Sequence, residues 1–341
     1  MDLDTLHKGR QTIVFDRHPV ILAHSAIAGK KESEGPLAGF FDHTETDTRF
    51  GQKTWEKAET RLQELALDTA RSKAQLQYSD LDVLFAGDLL NQCISSAFAI
   101  RDTRIPFLGL YGACSTMAES LTLAAAAVNA GYAARAAALT SSHFATAERQ
   151  YRFPLGYGGQ RTPTAQWTVT GSGCCIVASG GRGPYLNCAT IGRIEDYGIK
   201  DANNMGAAMA PAAYSTLRAH FADTGLRPQD YDLIVTGDLG TLGSTIVTDL
   251  FQRDGVEFGA NYRDCGVLIY DLKRQDVHAG GSGCGCGASV LCGYLLRQLR
   301  EKKINSLLFC ATGALMSPVS TWQGESIPAI CHAISISSER R

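Results

Sequence analysis

No stretch of the 341-residue sequence stays apolar for the ~20 residues that a membrane helix requires, and the opening MDLDTLHKGR is too polar for a secretion signal. Basic excess is lacking too: 32 Lys and Arg stand against 34 Asp and Glu, a net charge of −2, so binding to nucleic acid by phosphate neutralisation is not expected. Charged residues reach only 19% against 45% hydrophobic, which excludes a disordered chain and describes an ordinary globular one. Eleven cysteines are present, yet Cys284 and Cys286 in "GSGCGCGAS" have no second cysteine pair or histidine tract to complete a zinc site. A soluble intracellular protein with reduced thiols and no structural metal is expected.

The sequence contains a weak internal repeat. "SDLDVLFAGDLLNQ" (79–92) resembles "QDYDLIVTGDLGTLG" (229–243). Each runs from turn residues through an apolar stretch that reads as a buried strand to Gly-Asp-Leu, with Asp88 and Asp238 in matching places. Helical patterns precede both strands, at 55–73 and about 205–221. Leu62, Leu65, Leu67 and Ala70 form the apolar side of the first. Farther on, a helix running from Cys114 to Asn129 leads to a strand at 135–143, and a helix at about 285–299 leads to a strand at 305–318. A repeat this long points to duplicated halves rather than a solenoid.

The two later helices are unusual. From Met117 to Val128 nearly every position is apolar or small, and Ala288 to Leu296 is similar. A helix apolar on all sides is buried on all sides, so the pattern predicts a central helical layer between two sheets with amphipathic helices outside. Cys174 and Cys175, adjacent in "GSGCCIVASG", should face opposite sides of a strand.

Two similar halves, buried helices between sheets and a cysteine opening the first buried helix resemble the thiolase and ketoacyl-synthase superfamily. The resemblance implies an α/β fold of five layers (αβαβα) built from two pseudo-repeated halves, 1–180 and 181–341. "FAGDLLNQ", "GACSTMAES", "TSSHFATAERQYRFP", "YGGQRT", "TVTGSG", "MGAAMAPAA", "GGSGCGCGA" and "ATGALMSP" occur in the order found in one branch, the stage V sporulation protein AD family of spore-forming bacteria, and look like that family's segments. That likeness implies binding of dipicolinate (pyridine-2,6-dicarboxylate) or its calcium chelate, and its movement into the developing spore. It also implies membrane-embedded sporulation proteins as partners and a cytoplasmic protein peripheral to the spore inner membrane. A homodimer paired through "AARAAALT" is expected as well. No cofactor is implied beyond calcium carried by the ligand.

Cys114 sits where the superfamily keeps its acyl-accepting thiol. A helix N-terminus offers unpaired N–H groups and a positive dipole end, so a thiol pKa in the range of roughly 3.5–7.5 is expected. In condensing enzymes a second-half loop supplies a His or Asn that donates to the thioester oxygen. Here the matching "GDLGTLG" holds Asp238, whose carboxylate opposes an oxyanion. Losing one such donor costs about 10²–10³ in rate, so non-catalytic binding is the expected outcome. The enzymatic alternative uses Cys114 with His278 ("VHAGGSG") and Cys310 ("LLFCATGA") in acyl-CoA or acyl-carrier condensation. A structural adaptor without a pocket is the third reading.

Dipicolinate is flat, aromatic and doubly negative, and calls for arginine forks beside an apolar slot. Residues 141–162 hold His143, Arg149, Arg152 and Arg161 against one acid, Glu148, with Tyr151, Phe153 and Tyr157 available as walls. Resemblance places this segment over the pocket mouth. The expected ligand set is therefore Cys114, His143, Arg149, Arg152, Arg161 and Asp238, although each arginine alone reads equally well as a solvated surface residue. Lys30 and Lys31, in a Gly- and Pro-broken loop, read as a solvated face.

Overall fold

The computed structural model describes residues 6–151 and 160–340. The duplication read from the sequence reappears as a repeated strand order. The first half contributes β1 (Val20–Ala28), β2 (Val83–Gly87), β3 (Phe107–Gly109), β4 (Arg135–Ser142) and β5 (Gly171–Ala178), arranged β3-β2-β4-β5-β1. The second contributes β6 (Tyr185–Thr190), β7 (Leu233–Thr236), β8 (Tyr262–Asp264), β9 (Ser306–Ala314) and β10 (Ala329–Ser337), arranged β8-β7-β9-β10-β6. Pairing directions match as well. β2 is parallel to β3 and β4, as β7 is to β8 and β9, and the remaining ladders are antiparallel in both halves. The two sets meet where Tyr185 of β6 pairs with Val20 of β1.

The sequence devices that start each repeat are also duplicated. A one-turn helix precedes β2 and another precedes β7. Asp80 accepts the Gln77 N–H at 2.7 Å in the first, and Asp230 accepts the Arg227 N–H at 2.8 Å in the second. Each carboxylate caps donors that the short turn would otherwise leave unpaired.

Helix α1 (Trp55–Lys73) packs on β1, β4 and β5, and after β2 comes α2 (Ile94–Ile100). The chain then enters α3 (Thr116–Ala130), which touches strands of both halves: β2, β4 and β5 on one side, β9 and β10 on the other. Next comes α4 (Phe144–Tyr151). In the second half α5 (Met205–Thr224) covers β6, β9 and β10, and α6 (Gly240–Arg253) packs on α5. The second central helix, α7, occupies residues 284–300 and passes through a π-helical stretch at Val290–Leu295. Central helices between two sheets, with α1 and α5 outside them, make the five layers αβαβα. Burial of α3 is not all-round: Leu123 is partly exposed, and Ala126 and Ala127 are half-buried.

Close packing in the middle depends on small residues. A Cβ on Gly173 of β5 would lie 2.5 Å from the Ala288 carbonyl of α7, so glycine is what lets helix and strand approach. Cys175 joins the central cluster with Leu121 and Leu291, while Cys174 joins the outer cluster with Leu62 and Leu67, on opposite strand faces as expected.

One expectation is corrected by the topology. The strand "AARAAALT", expected to pair two copies, is β4, and both of its edges are already taken, by β2 and β5. The ends of the strand order are β3 and β8. Among the described residues no helix is long and apolar enough to cross a membrane.

Candidate functional site

Both halves deliver loops to one cavity of about 390 Å³. Cys114 lies at its base, on the tight turn Ala113–Ser115 that leads into α3. Ala113 adopts a left-handed conformation (φ 51°), a strained setting for a residue with a Cβ, and one that is held from outside the turn. Cys284, the first residue of α7, donates its thiol to the Ala113 carbonyl at 3.0 Å.

Asp238 is the second-half residue brought to Cys114. It follows β7 and is fully buried, and its carboxylate is saturated with donors. Thr312 Oγ reaches Oδ1 at 2.8 Å, and the Gly283 N–H reaches Oδ2 at 2.9 Å. Ser282 Oγ lies 3.3 Å from Oδ2, and the carboxyl group is close enough to Cys114 to raise the pKa of its thiol. Gly283 makes this possible: its φ of 97° suits glycine, and a Cβ there would lie 2.7 Å from Ser142 Oγ.

These contacts overturn the expectation of an acidic thiol. Burial, and then the neighbouring Asp238 carboxylate, push the Cys114 pKa well above its ordinary value, and the Gly283 N–H only partly opposes them. Burial also raises the Asp238 carboxyl. The helix N-terminus is present, but burial and the charge of the nearby Asp238 carboxylate both disfavour a thiolate at position 114, so Cys114 rests as a protonated thiol.

The other members of the enzymatic alternative do not join it. His278 does not line the cavity, and its Nε2 lies 3.2 Å from Asp276. Cys310 is buried in the outer cluster of the second half, with Met209 and Leu308, because its side chain leaves β9 on the face opposite Phe309 and Ala311.

The anion-binding set is dispersed as well. His143 is buried, its Nε2 2.7 Å from the Thr48 carbonyl and its Nδ1 accepting the Ala145 N–H at 3.1 Å, and it lines a different pocket. Arg149 is half-exposed, ion-paired with Glu56 and set over the Trp55 ring. Arg161 pairs with Glu148 at 3.3 Å, donates to the Gln166 carbonyl and lies 4.9 Å from the Trp167 ring centroid, so it stands behind the cavity wall rather than in it. Arg152, with Phe153 and Tyr157, lies outside the described residues.

Tyr151, offered by the sequence as a wall, lines the cavity, and most of the other lining residues lie in segments to which the sequence assigns no such role. Ala147, Glu148 and Tyr151 share one face of α4, a spacing of three and four residues that a helical reading of 144–151 makes visible. The Tyr111 and Tyr151 hydroxyls lie 2.9 Å apart. Met205, Leu315 and Met316 form an apolar wall, and Ser317, Ser320, Thr168 and Ser282 add hydroxyls. Among the described residues no histidine, lysine or arginine lines the cavity.

Residues 9–337 match the model of the stage V sporulation protein AD family (SpoVAD). The chain belongs to that family. Stage V sporulation protein AD of Bacillus subtilis (strain 168) is 47% identical over 327 residues, 96% of each chain. Among solved structures, 3-oxoacyl-[acyl-carrier-protein] synthase III of Aquifex aeolicus VF5 is similar with a TM-score of 0.57 at 12% identity, over 94% of this chain and 99% of that one. Cerulenin-bound OleA of Xanthomonas campestris is similar with a TM-score of 0.61 at 13% identity, over 95% of this chain and all of that one. At such identities these neighbours show the fold, which is thiolase-like.

Proposed function

We propose that this sporulation protein binds dipicolinate in the Cys114 cavity without covalent chemistry, for its uptake into the developing spore beside membrane-embedded partners. The observation that carries this is Asp238: a buried carboxyl group beside Cys114 raises the pKa of that thiol, favouring its protonated form, and opposes any oxyanion there. The cavity is nevertheless retained, with an apolar wall and a hydroxyl-rich rim suited to a small flat ligand.

Its ionisable lining groups among the described residues are all acids: Cys114, Glu148, Tyr111 and Tyr151. A bare dianion gains no cationic partner from them. The one-to-one calcium chelate is neutral and can direct its cation toward the Glu148 carboxylate. The chelate is accordingly the favoured form of the ligand. Calorimetric titration with dipicolinate alone and with equimolar calcium tests this, and tighter binding of the free dianion would reverse the assignment. Incubation with acetyl-CoA and malonyl-CoA should give no condensation product, whereas turnover abolished by Cys114→Ala would establish the enzyme instead.

A homodimer is proposed through edge strand β3. Leu108 on that strand is 56% exposed, and Phe98 and Tyr111, which flank it in sequence, are also exposed. An unpaired edge carrying apolar side chains pairs readily with its own copy across a two-fold axis.

A further inference from the structure

One end of the sheet carries positive charge that the rest of the molecule does not pair. Arg135, Ala178, Val20, Tyr185, Ser337 and Ser306 stand side by side in register on neighbouring strands, β4-β5-β1-β6-β10-β9. At the ordinary spacing of strands this row is about 24 Å wide. β4 and β9 run from the row toward the Cys114 cavity, whose lining residues Ala147 and Leu315 follow their far ends. Row and cavity therefore occupy opposite poles.

The segments that enter and leave the row bring arginines. Arg17 precedes β1, Arg182 lies in the turn between β5 and β6, and Arg340 follows β10, all three exposed. Arg135 opens β4, and Arg300 ends the helical run of α7 before the chain turns into β9. They gather in space as well. Burial, and then the Arg340 charge, lower the pKa of His18, which puts Arg340 near the residue that follows Arg17. A Cβ on Gly183 would lie 3.5 Å from Arg300 Nη2, and one on Gly131 would lie 3.0 Å from Arg17 Nη1.

Among the described residues none of these arginines forms an ion pair, and Arg300 donates to the Ile21 and Leu22 carbonyls instead. The acids of this end are otherwise engaged. Asp82 accepts the Ala134 and Arg135 N–H groups, Asp232 accepts those of Asn305 and Ser306, and Asp16 accepts from the Asn129 side chain. Glu301 pairs with Arg297 and Lys303, and Glu339 with Lys302. Cations outnumber carboxylates at this pole, in a chain whose net charge is −2. Positive charge spread over so broad an end fits an extended anionic surface better than a single small anion. Tyr132 indicates the kind of surface. It follows Gly131, beside the Arg17 guanidinium, and is 88% exposed. A protruding tyrosine among arginines suits the headgroup layer of a bilayer, where its ring is part apolar and part wet and the guanidinium groups meet phosphates.

We propose that this pole docks on an anionic phospholipid bilayer, with headgroup phosphates against the guanidinium groups, Tyr132 at headgroup level and the Cys114 cavity opening away from the lipid. The peripheral position expected from the resemblance names no surface of the protein. Docking at this pole does not depend on the ligand proposed for the cavity.

Co-sedimentation of the full chain with vesicles tests it. Vesicles of equal parts phosphatidylcholine and phosphatidylglycerol should bind the protein at low salt and release it toward ~1 M salt, where the Debye length falls to ~3 Å. Vesicles of phosphatidylcholine alone should bind it far more weakly. Arg182→Gln combined with Arg340→Gln removes two exposed charges that no acid holds, and should weaken partition about 30-fold, the combined effect of two basic residues near an anionic surface. Lys53→Gln combined with Lys273→Gln makes the same change in net charge at exposed positions outside these segments, and should leave partition within about twofold of the parent, as expected for charges more than a Debye length from the lipid. Circular dichroism checks that both variants keep the fold. Absence of binding, equal binding to phosphatidylcholine alone, or equal loss in the two double variants would overturn the proposal. Retention on polyglutamate without vesicle binding would also overturn it, and would make the pole a face for an acidic protein. Calorimetry with calcium dipicolinate reads the Cys114 cavity separately.

Discussion

Asp238→Asn should convert Cys114 from an inert thiol into a reactive one. The substitution is nearly isosteric. The amide oxygen can still accept from Gly283 and Ser282, and the Thr312 hydroxyl can rotate to accept from the amide N–H₂. What disappears is the negative charge that raises the thiol pKa. Two unit charges about 4 Å apart at an effective dielectric of about 20 interact by about 4 kcal/mol, equivalent to about three pKa units. Burial also raises Asp238 itself, which weakens this interaction, so a fall of about one to three pKa units is expected. While the thiol pKa stays above the assay pH, each unit lowered gives about tenfold more thiolate. Iodoacetamide labelling at mildly alkaline pH, mapped by mass spectrometry, should therefore be about 10- to 1000-fold faster at Cys114 in the variant. Circular dichroism checks that the fold is kept. Labelling within twofold of the parent rate (about equal, against the tenfold-per-unit expectation) would show that Asp238 does not control the thiol.

Other outcomes are equally specific. Arg161→Ala removes the guanidinium paired with the largely buried Glu148, which keeps its hydrogen bond from the Thr168 hydroxyl, and should cost about 1.5–3 kcal/mol of unfolding free energy, whereas Arg149→Ala at the half-exposed Glu56 pair should cost about 1 or less, both read by denaturant unfolding. Glu32 is raised by burial from 4.5 to about 7, so its contribution is fully present below pH ~4.5 and is lost as pH rises through ~7. Glu32→Gln should therefore remove up to about 3 kcal/mol of the pH-dependent fall in stability between pH ~5 and ~8, and an unchanged slope would contradict the shift. Leu108→Asp should give a single-chain mass by light scattering at a concentration where the parent is dimeric; a parent that is already monomeric removes the β3 interface.

The fold was legible because the features that fix it are periodic and repeated. The Gly-Asp-Leu strands, the helix at 55–73 and the all-apolar central helices each occupy the places their patterns indicate. The site was legible only where two halves had to meet. The resemblance to condensing enzymes, with the repeat to locate the loop, put Asp238 beside Cys114, and Asp238 is near enough there to raise the thiol pKa. The thiol's chemistry was misread because the helix N-terminus is visible in sequence, whereas burial and the proximity of a carboxyl group across two loops are not. The arginines failed for a related reason. Arg149 and Arg161 find Glu56 and Glu148, one of them 93 positions away along the chain, and sequence alone does not say which acid claims which base. Lys30 is exposed as read, whereas Lys31 is half-buried because the aromatic residues beside it come from positions 55, 144 and 167.

The most direct test of the central account is a calorimetric titration of calcium dipicolinate into the parent protein, Cys114→Ala and Ala147→Phe. The account predicts saturable binding to the parent, affinity retained within several-fold in Cys114→Ala because no covalent bond is made, and loss of that binding when Ala147→Phe fills the cavity. Binding that survives Ala147→Phe unchanged, or that disappears with Cys114→Ala while the parent carries a covalent adduct on Cys114, would contradict it.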